Sequence, residues 1–294
     1  MSEETPSGPQ LVGPPRVALN QSVASIHDDE AAKRLGFRGS AVAGSVHLDV
    51  FAPLLVEAYG EEWFERGALS VYFHDVVVSG EQVQAVVDRP HPAGAQTTIL
   101  ARRADDHGIV VCAGTASLGD HDRSELATRD LRLCDSGGLR MMRGVEPGAE
   151  LGSERFVASR SAQVAQLDSG GLNEPMAWYR DESPWGGPVA SPSTTASLMF
   201  RLLTGDDEVQ RHDRISPHIG GAFGMFGAFQ IEHVEGPVFL DRPYTVTGRV
   251  VGVGESPKTE YLWWDAEAVD DDGRVAARMR HLLRFLKDSS PLYA

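Results

Sequence analysis

The segment GSAVAGS (residues 39–45) returns as GGPVASP (residues 186–192), and each runs directly into an apolar helical pattern. After the first copy, Val46, Val50, Phe51, Leu54, Leu55 and Ala58 recur at helical spacing and predict a helix over residues 45–59. After the second, STTASLMFRLL (193–203) reads the same way. The parallel continues downstream. GALSVYFHDVVVSGEQV (67–83) is echoed by GAFQIEHVEGPVFLDRPY (227–244), and ADDHGIVVCAGTASL (104–118) by DDDGRVAARMRHLL (270–283). The offset between partners grows along the chain, as it does when corresponding loops differ in length. Each copy reads as one helix followed by clustered strands with turn residues between them. One copy alone leaves a helix face and a sheet edge uncovered, and pairing two copies covers both. The chain is therefore expected to be an α+β tandem pseudo-dimer. A doubly wound α/β fold is disfavoured because strands cluster rather than alternate with helices. Residues 1–15 are expected to form a flexible arm, 16–135 the first half and 136–294 the second, with the polar stretch 119–152 spanning the boundary.

Bulk properties narrow the function. The chain has 294 residues and a formal net charge of −15, which disfavours nucleic-acid and anionic-membrane partners because both need a basic face. Two cysteines, Cys112 and Cys134, make no disulfide framework and are expected to be inert core or near-core residues. The acidic, proline-containing start has no apolar run, and no stretch approaches a membrane span. A cytoplasmic protein is expected. The ten histidines show no paired ligand spacing, so no metal and no other cofactor are expected. GVGESPKT (252–259) imitates a phosphate-binding loop, but Pro257 stands where glycine is needed. It is better read as a hairpin between YTVTGRVVGV and TEYLWWDAEAV. GGAFGMFG (220–227) has no strand–turn–helix context for a dinucleotide. No nucleophile elbow is present.

The stretch IHDDEAAKRLGFRGSAVAGSVHLD (26–49) carries the chemistry. Asp28 or Asp29 is placed to cap a short helix over 28–35, which Gly36 ends. Ile26-His27-Asp28-Asp29 followed by a glycine-rich turn and an apolar helix resembles the MaoC-like hydratase/dehydratase family, whose signature is Asp-x-Asn-Pro-(apolar)-His-x-Asp. The resemblance covers nearly the whole chain from Arg16 and implies a double hotdog fold. It also implies addition or removal of water across the α,β bond of an acyl thioester on coenzyme A or a carrier protein. His27 is then the base and Asp29 the closing aspartate of the signature. The family's acid/base aspartate falls on Ser22, and its Asn and Pro on Ala24 and Ser25, so half of the usual dyad is absent. A thioester enolate also needs hydrogen-bond donors, for which Gly44 and Ser45 at the helix start are the candidates.

His47, in the first turn of the predicted helix, is the candidate replacement for the missing partner, with Asp49 nearby. In the second half Trp178-Tyr179-Arg180-Asp181 occupies the place of Ile26-His27-Asp28-Asp29. Tyr179 and Asp181 are accordingly candidate substrate-binding residues. Glu174, in Asn173-Glu174-Pro175, can supply a carboxylate, and Glu232 is a candidate if it faces the helix rather than its neighbour His233. Two other readings stay open. One is an isomerase or cyclase with a cavity lined by Trp185, Trp263, Trp264 and Tyr179. The other is a non-catalytic acyl-binding subunit. A homodimer is possible, and a stable, active homo-oligomer would rule out the last of these readings.

Overall fold

The computed structural model describes residues 9–20, 29–105, 108–171, 174, 176–205 and 214–294. The first half contributes β1 (Gln10–Val12), β2 (Arg16–Val17), α1 (Asp29–Arg34), a 3-10 turn (Gly44–Leu48), α2 (Ala52–Tyr59) and α3 (Trp63–Arg66). Its remaining strands are β3 (Gly67–Phe73), β4 (Gln82–Asp88), β5 (Thr97–Arg103) and β6 (Val110–Leu118). A short α4 (Glu125–Thr128) lies in the connection. Then come β7 (Glu150–Val157), α5 (Arg160–Asp168), α6 (Pro192–Thr204), β8 (Gly224–His233), β9 (Pro243–Glu255), β10 (Thr259–Asp270) and β11 (Val275–Leu286).

All strands join one 11-stranded sheet in the order β1-β4-β5-β6-β3-β8-β11-β10-β9-β7, with β2 beside β4. The order is palindromic in kind. Each half runs from an outer edge inward to its first strand after the central helix, and those two strands, β3 and β8, pair antiparallel from Ala68↔Glu232 to Tyr72↔Ala228. This is the pseudo-dimer that the repeat requires, with the two inner edges closed against each other. Leu69, Val71, Phe229 and Ile231 point from the seam into the core, where the central helices lie. The outer face of the seam is polar at its centre. Ser70 Oγ and Ser124 Oγ both donate to Gln230 Oε1, at 2.9 and 2.7 Å, and the Leu126 amide donates to Ser70 Oγ at 2.9 Å. Leu126 then packs among Ala228, Tyr261, Trp263 and Leu282, so α4 covers the seam from outside. The buried Glu260 carboxylate anchors the same connection, accepting the amides of Arg140, Met141 and Met142 at 2.8–3.0 Å.

The expected helix over 45–59 is two pieces. Pro53 has no N–H to give to the Asp49 carbonyl, so the path tightens into a 3-10 turn and a new helix starts with proline in its first turn. The second central helix also has its proline at the start, and there it runs unbroken for 13 residues. The proposed hairpin between β9 and β10 forms, with Glu260 opposite Glu255. β7 and α5 extend the second half over residues 150–168, to which the sequence pattern assigned no helix or strand. Cys112 is buried, but Cys134 is exposed rather than near the core.

Candidate active site

Two bridges fix where the central helices begin. Ala41 bridges Val78 in the first half and Val189 bridges Phe239 in the second. The next amides, of Val42 and Ala190, donate to Val77 O and Val238 O at 2.9 and 2.8 Å. The equivalent N-caps are therefore Ala43 and Ser191, one residue out of step with the match read from GSAVAGS and GGPVASP. By this register His47 corresponds to Thr195, and both are buried with unpartnered polar atoms.

In the first half the turn lies against the end of β3. A Cβ on Gly44 would stand 3.1 Å from Phe73 Cζ, so only glycine allows this approach without moving the ring. Between the turn, the chain after β3, the start of β8 and Phe200 of α6 lies a cavity of about 180 Å³. Its walls are mainly apolar, including Val42, Phe73, Phe226 and Leu283, with His47, His74, Asp75 and Arg284 as its ionisable side chains. His47 is 2% exposed, and neither ring nitrogen has a hydrogen-bond partner among the described residues. Burial lowers its pKa to about 4, so at neutral pH the ring is uncharged, with one nitrogen able to donate and the other to accept. The amides of Gly44 and Ser45 likewise have no partner among the described residues. The break at Pro53 leaves them at the head of a single turn rather than a long helix, so any help from a helix dipole is small.

Beside the cavity, His281 stacks on Phe229 with ring centroids 4.2 Å apart. Trp264 Nε1, which can only donate, gives its hydrogen to His281 Nδ1 at 2.9 Å, so the neutral ring carries its own hydrogen on Nε2. Burial pushes this pKa down to about 3. A third buried imidazole, His233, sits between Trp63 and Phe64 with its pKa lowered to about 4, again chiefly by burial.

A second polar centre lies where the halves cross. Asp49, fully buried, accepts the Ser193 amide at 2.8 Å and the Ser193 hydroxyl at 2.6 Å. A carboxylate from the first half thus helps cap α6 of the second, alongside Ser191. Desolvation outweighs these bonds and raises the Asp49 pKa to about 7. Tyr179 is buried with its hydroxyl unpartnered among the described residues, and its pKa is raised by burial and by the charges of Asp49 and Glu174. Glu174 is itself nearly buried and ion-paired with Arg16 at 2.7 Å. The sequence offers Asp49 only as a neighbour of His47. A lone aspartate in an apolar helical pattern is the available signal, and its partner Ser193 is remote in sequence.

The other candidates are dispersed. His27 and Ser22 lie outside the described residues. Asp29 is exposed, bonded to Lys33 at 2.5 Å and to the Ser40 amide at 3.2 Å, which ties α1 to the turn that follows it. Asp181 is exposed, 4.0 Å from Arg160. Of the pair Glu232 and His233, it is His233 that faces the core. Glu232 stands on the opposite face of the sheet and accepts from Gln230 Nε2 at 2.5 Å, because adjacent strand residues point to opposite sides. Trp263 and Trp264 divide in the same way, and neither they nor Trp185 and Tyr179 line the cavity at His47. No group of three or more His, Cys, Asp or Glu side chains converges among the described residues. No helix among them is long and apolar enough to cross a membrane.

No family model matches the sequence, and no curated protein matches it either. Solved structures do match. A protein described as a MaoC domain dehydratase from Chloroflexus aurantiacus superposes with a TM-score of 0.62 at 10% identity, over 97% of this chain and 96% of its own. A conserved hypothetical protein of Mycobacterium tuberculosis with a double hotdog fold gives 0.57 at 12% identity, over 97% of both chains. A MaoC-like dehydratase gives 0.52 at 15% identity, over 97% of this chain and all of that one. At such identities the likeness establishes the fold. Over nearly its whole length this chain has the double hotdog fold that it shares with MaoC-like dehydratases.

Proposed function

We propose that the protein is a hydro-lyase that interconverts enoyl and 3-hydroxyacyl thioesters of coenzyme A or a carrier protein. The observation that carries this reading is His47: a buried, neutral imidazole with both nitrogens unpartnered among the described residues, on the wall of an apolar cavity beside Gly44. In hydration, the accepting nitrogen of His47 takes a proton from water as the hydroxide adds to the β-carbon. The thioester oxygen becomes enolate-like and is held by the Gly44 and Ser45 amides. The imidazolium then returns the proton to the α-carbon, so that the elements of water are added and His47 is regenerated. Burial makes the imidazolium costly by itself, and the enolate charge formed in the same step offsets that cost. A single histidine used twice does without the aspartate whose place Ser22 holds. His27 remains the base that the sequence resemblance implies, and mutagenesis separates the two.

The test is to incubate the protein with enoyl- and 3-hydroxyacyl-CoA of several chain lengths and follow interconversion. The expected result is turnover that falls about 100-fold or more in His47→Gln, the usual contribution of a positioned acid/base. Absence of turnover with every thioester rejects the lyase. Turnover that survives His47→Gln but not His27→Ala keeps the lyase and moves the base to His27.

A further inference from the structure

The β10–β11 register places Arg278 opposite Glu267, Arg280 opposite Asp265 and Arg284 opposite Tyr261. The first two arginines are ion-paired across the strands at 2.9 and 2.8 Å. The ladder breaks at the third. Arg284 donates to the Tyr72 hydroxyl and, at 3.2 Å, to Thr259 Oγ1, and among the described residues it has no carboxylate partner. Its guanidinium lies 5.1 Å from the Tyr261 ring centre.

Arg284 also stands where the sheet opens. The β3–β8 pairing ends at Tyr72↔Ala228, and β11 changes register on β8 at Leu282/Leu283, leaving Gly227 as the extra residue. A Cβ on Gly227 would meet Arg284 Nε at 2.8 Å, so the guanidinium crosses directly over this glycine. As a result Arg284 borders both the His47 cavity and a polar groove on the outer face that contains Tyr72, Arg132 and Tyr261. The acids around it are engaged elsewhere. Glu255 pairs with Lys287 at 2.7 Å, Glu125 with Arg129 at 2.6 Å, and Asp130 accepts the Arg132 amide at 3.0 Å. Asp75, in the cavity wall, faces Arg38 and Arg103 at 3.5 and 3.9 Å.

We infer that Arg284 is an anion-recognition residue at the opening of the cavity, and that the ligand is an amphiphile. Its apolar chain occupies the cavity toward His47, and its carboxylate or phosphate group meets Arg284 at the split between β3 and β8. A planar guanidinium held by neutral acceptors keeps donors for an incoming oxyanion, and an aromatic surface beside it limits competing hydration. The inference names the ligand class of the cavity proposed above as the active site and rests on that reading, but its test measures binding and not turnover.

The experiment is calorimetric titration with octanoate, octyl phosphate and octan-1-ol, which share a chain and differ in head group. The parent protein is expected to bind at least one of the anions about 10-fold or more tightly than the alcohol, the effect of one charge-assisted hydrogen bond. Whichever anion binds more tightly identifies the head group. Arg284→Gln is expected to abolish the preference, Arg284→Lys to retain part of it, and Arg278→Gln, on the same face of the same strand, to leave it intact. The inference is overturned if the parent shows no preference for either anion, if none of the three probes binds, or if Arg284→Gln retains the preference. The lyase reading stands or falls separately on thioester interconversion by the unmodified protein.

Discussion

Asp49 places a carboxyl group where no solvent reaches it and gives it only Ser193 and Ser191 to bind. Because its folded pKa, about 7, lies above the ordinary value of 3.8, the folded chain holds the proton more tightly than the unfolded chain does. The associated stability is fully present below pH 3.8 and is lost as the pH rises through about 7. Asp49→Asn removes this titration. The variant is therefore expected to gain on the parent across that window by a few kcal/mol, in denaturant melts at pH 4 and pH 8. A constant difference between the two proteins would show that Asp49 is ionised throughout as a fixed cap of α6. The chemistry of single residues was the least legible part of the sequence. Its spacing suggested His47 and Tyr179, but only the packing of Phe200, Phe226 and Leu283 from the other half shows that His47 faces a cavity. That Arg284 meets neutral acceptors and no carboxylate among the described residues depends on the β10–β11 register and was not visible in composition.

At the scale of elements, local punctuation was a good guide. Gly39–Ser45 and its repeat announced both central helices, and turn residues marked the strands, of which β5 alternates in burial because one side of it is core. What the pattern hid was where a helix must break. The apolar spacing from Val46 to Ala58 is continuous, yet Pro53 divides the segment into a turn and a helix, and the turn carries His47 into the cavity wall. β7 and α5 were missed because residues 150–168 are mostly polar and bury only single positions such as Leu151, Phe156, Gln163 and Leu167. Gly44 tests the importance of the turn's close approach. In Gly44→Ala the new methyl group would lie 3.1 Å from Phe73 Cζ, so this cavity-lining ring must shift to make room. Octanoate or thioester affinity is expected to fall about 10-fold, with a stability loss of about 1–3 kcal/mol from overpacking. Unchanged affinity would mean that ligands do not use the space beside the turn.

The whole molecule is two hotdog halves joined through β3 and β8, and among the described residues its interior encloses three neutral imidazoles, His47, His233 and His281. Burial lowers all three pKa values, so the stability linked to them is present above about pH 6.5 and is lost as the pH falls through about 4. This is opposite in sign to the Asp49 effect. His233, whose ring nitrogens have no partners among the described residues, is the cleanest to remove. His233→Leu is expected to melt close to the parent at pH 8 and to resist acid unfolding better, with the gap opening below pH 6.5. An identical acid limb would show that His233 takes no proton on unfolding. The repeat made this architecture legible because its elements recur in order, whereas the proposed function rests on residues that the two halves do not share. His47 has Thr195 as its counterpart, and Arg284 lies beside one end of the β3–β8 pairing. The account is tested most directly by hydrating an enoyl-CoA in D2O and recording deuterium at the α-carbon by NMR. It predicts incorporation by the parent that falls about 100-fold in His47→Gln while ligand binding persists. Equal incorporation by both proteins, or none by the parent with any thioester, would contradict it.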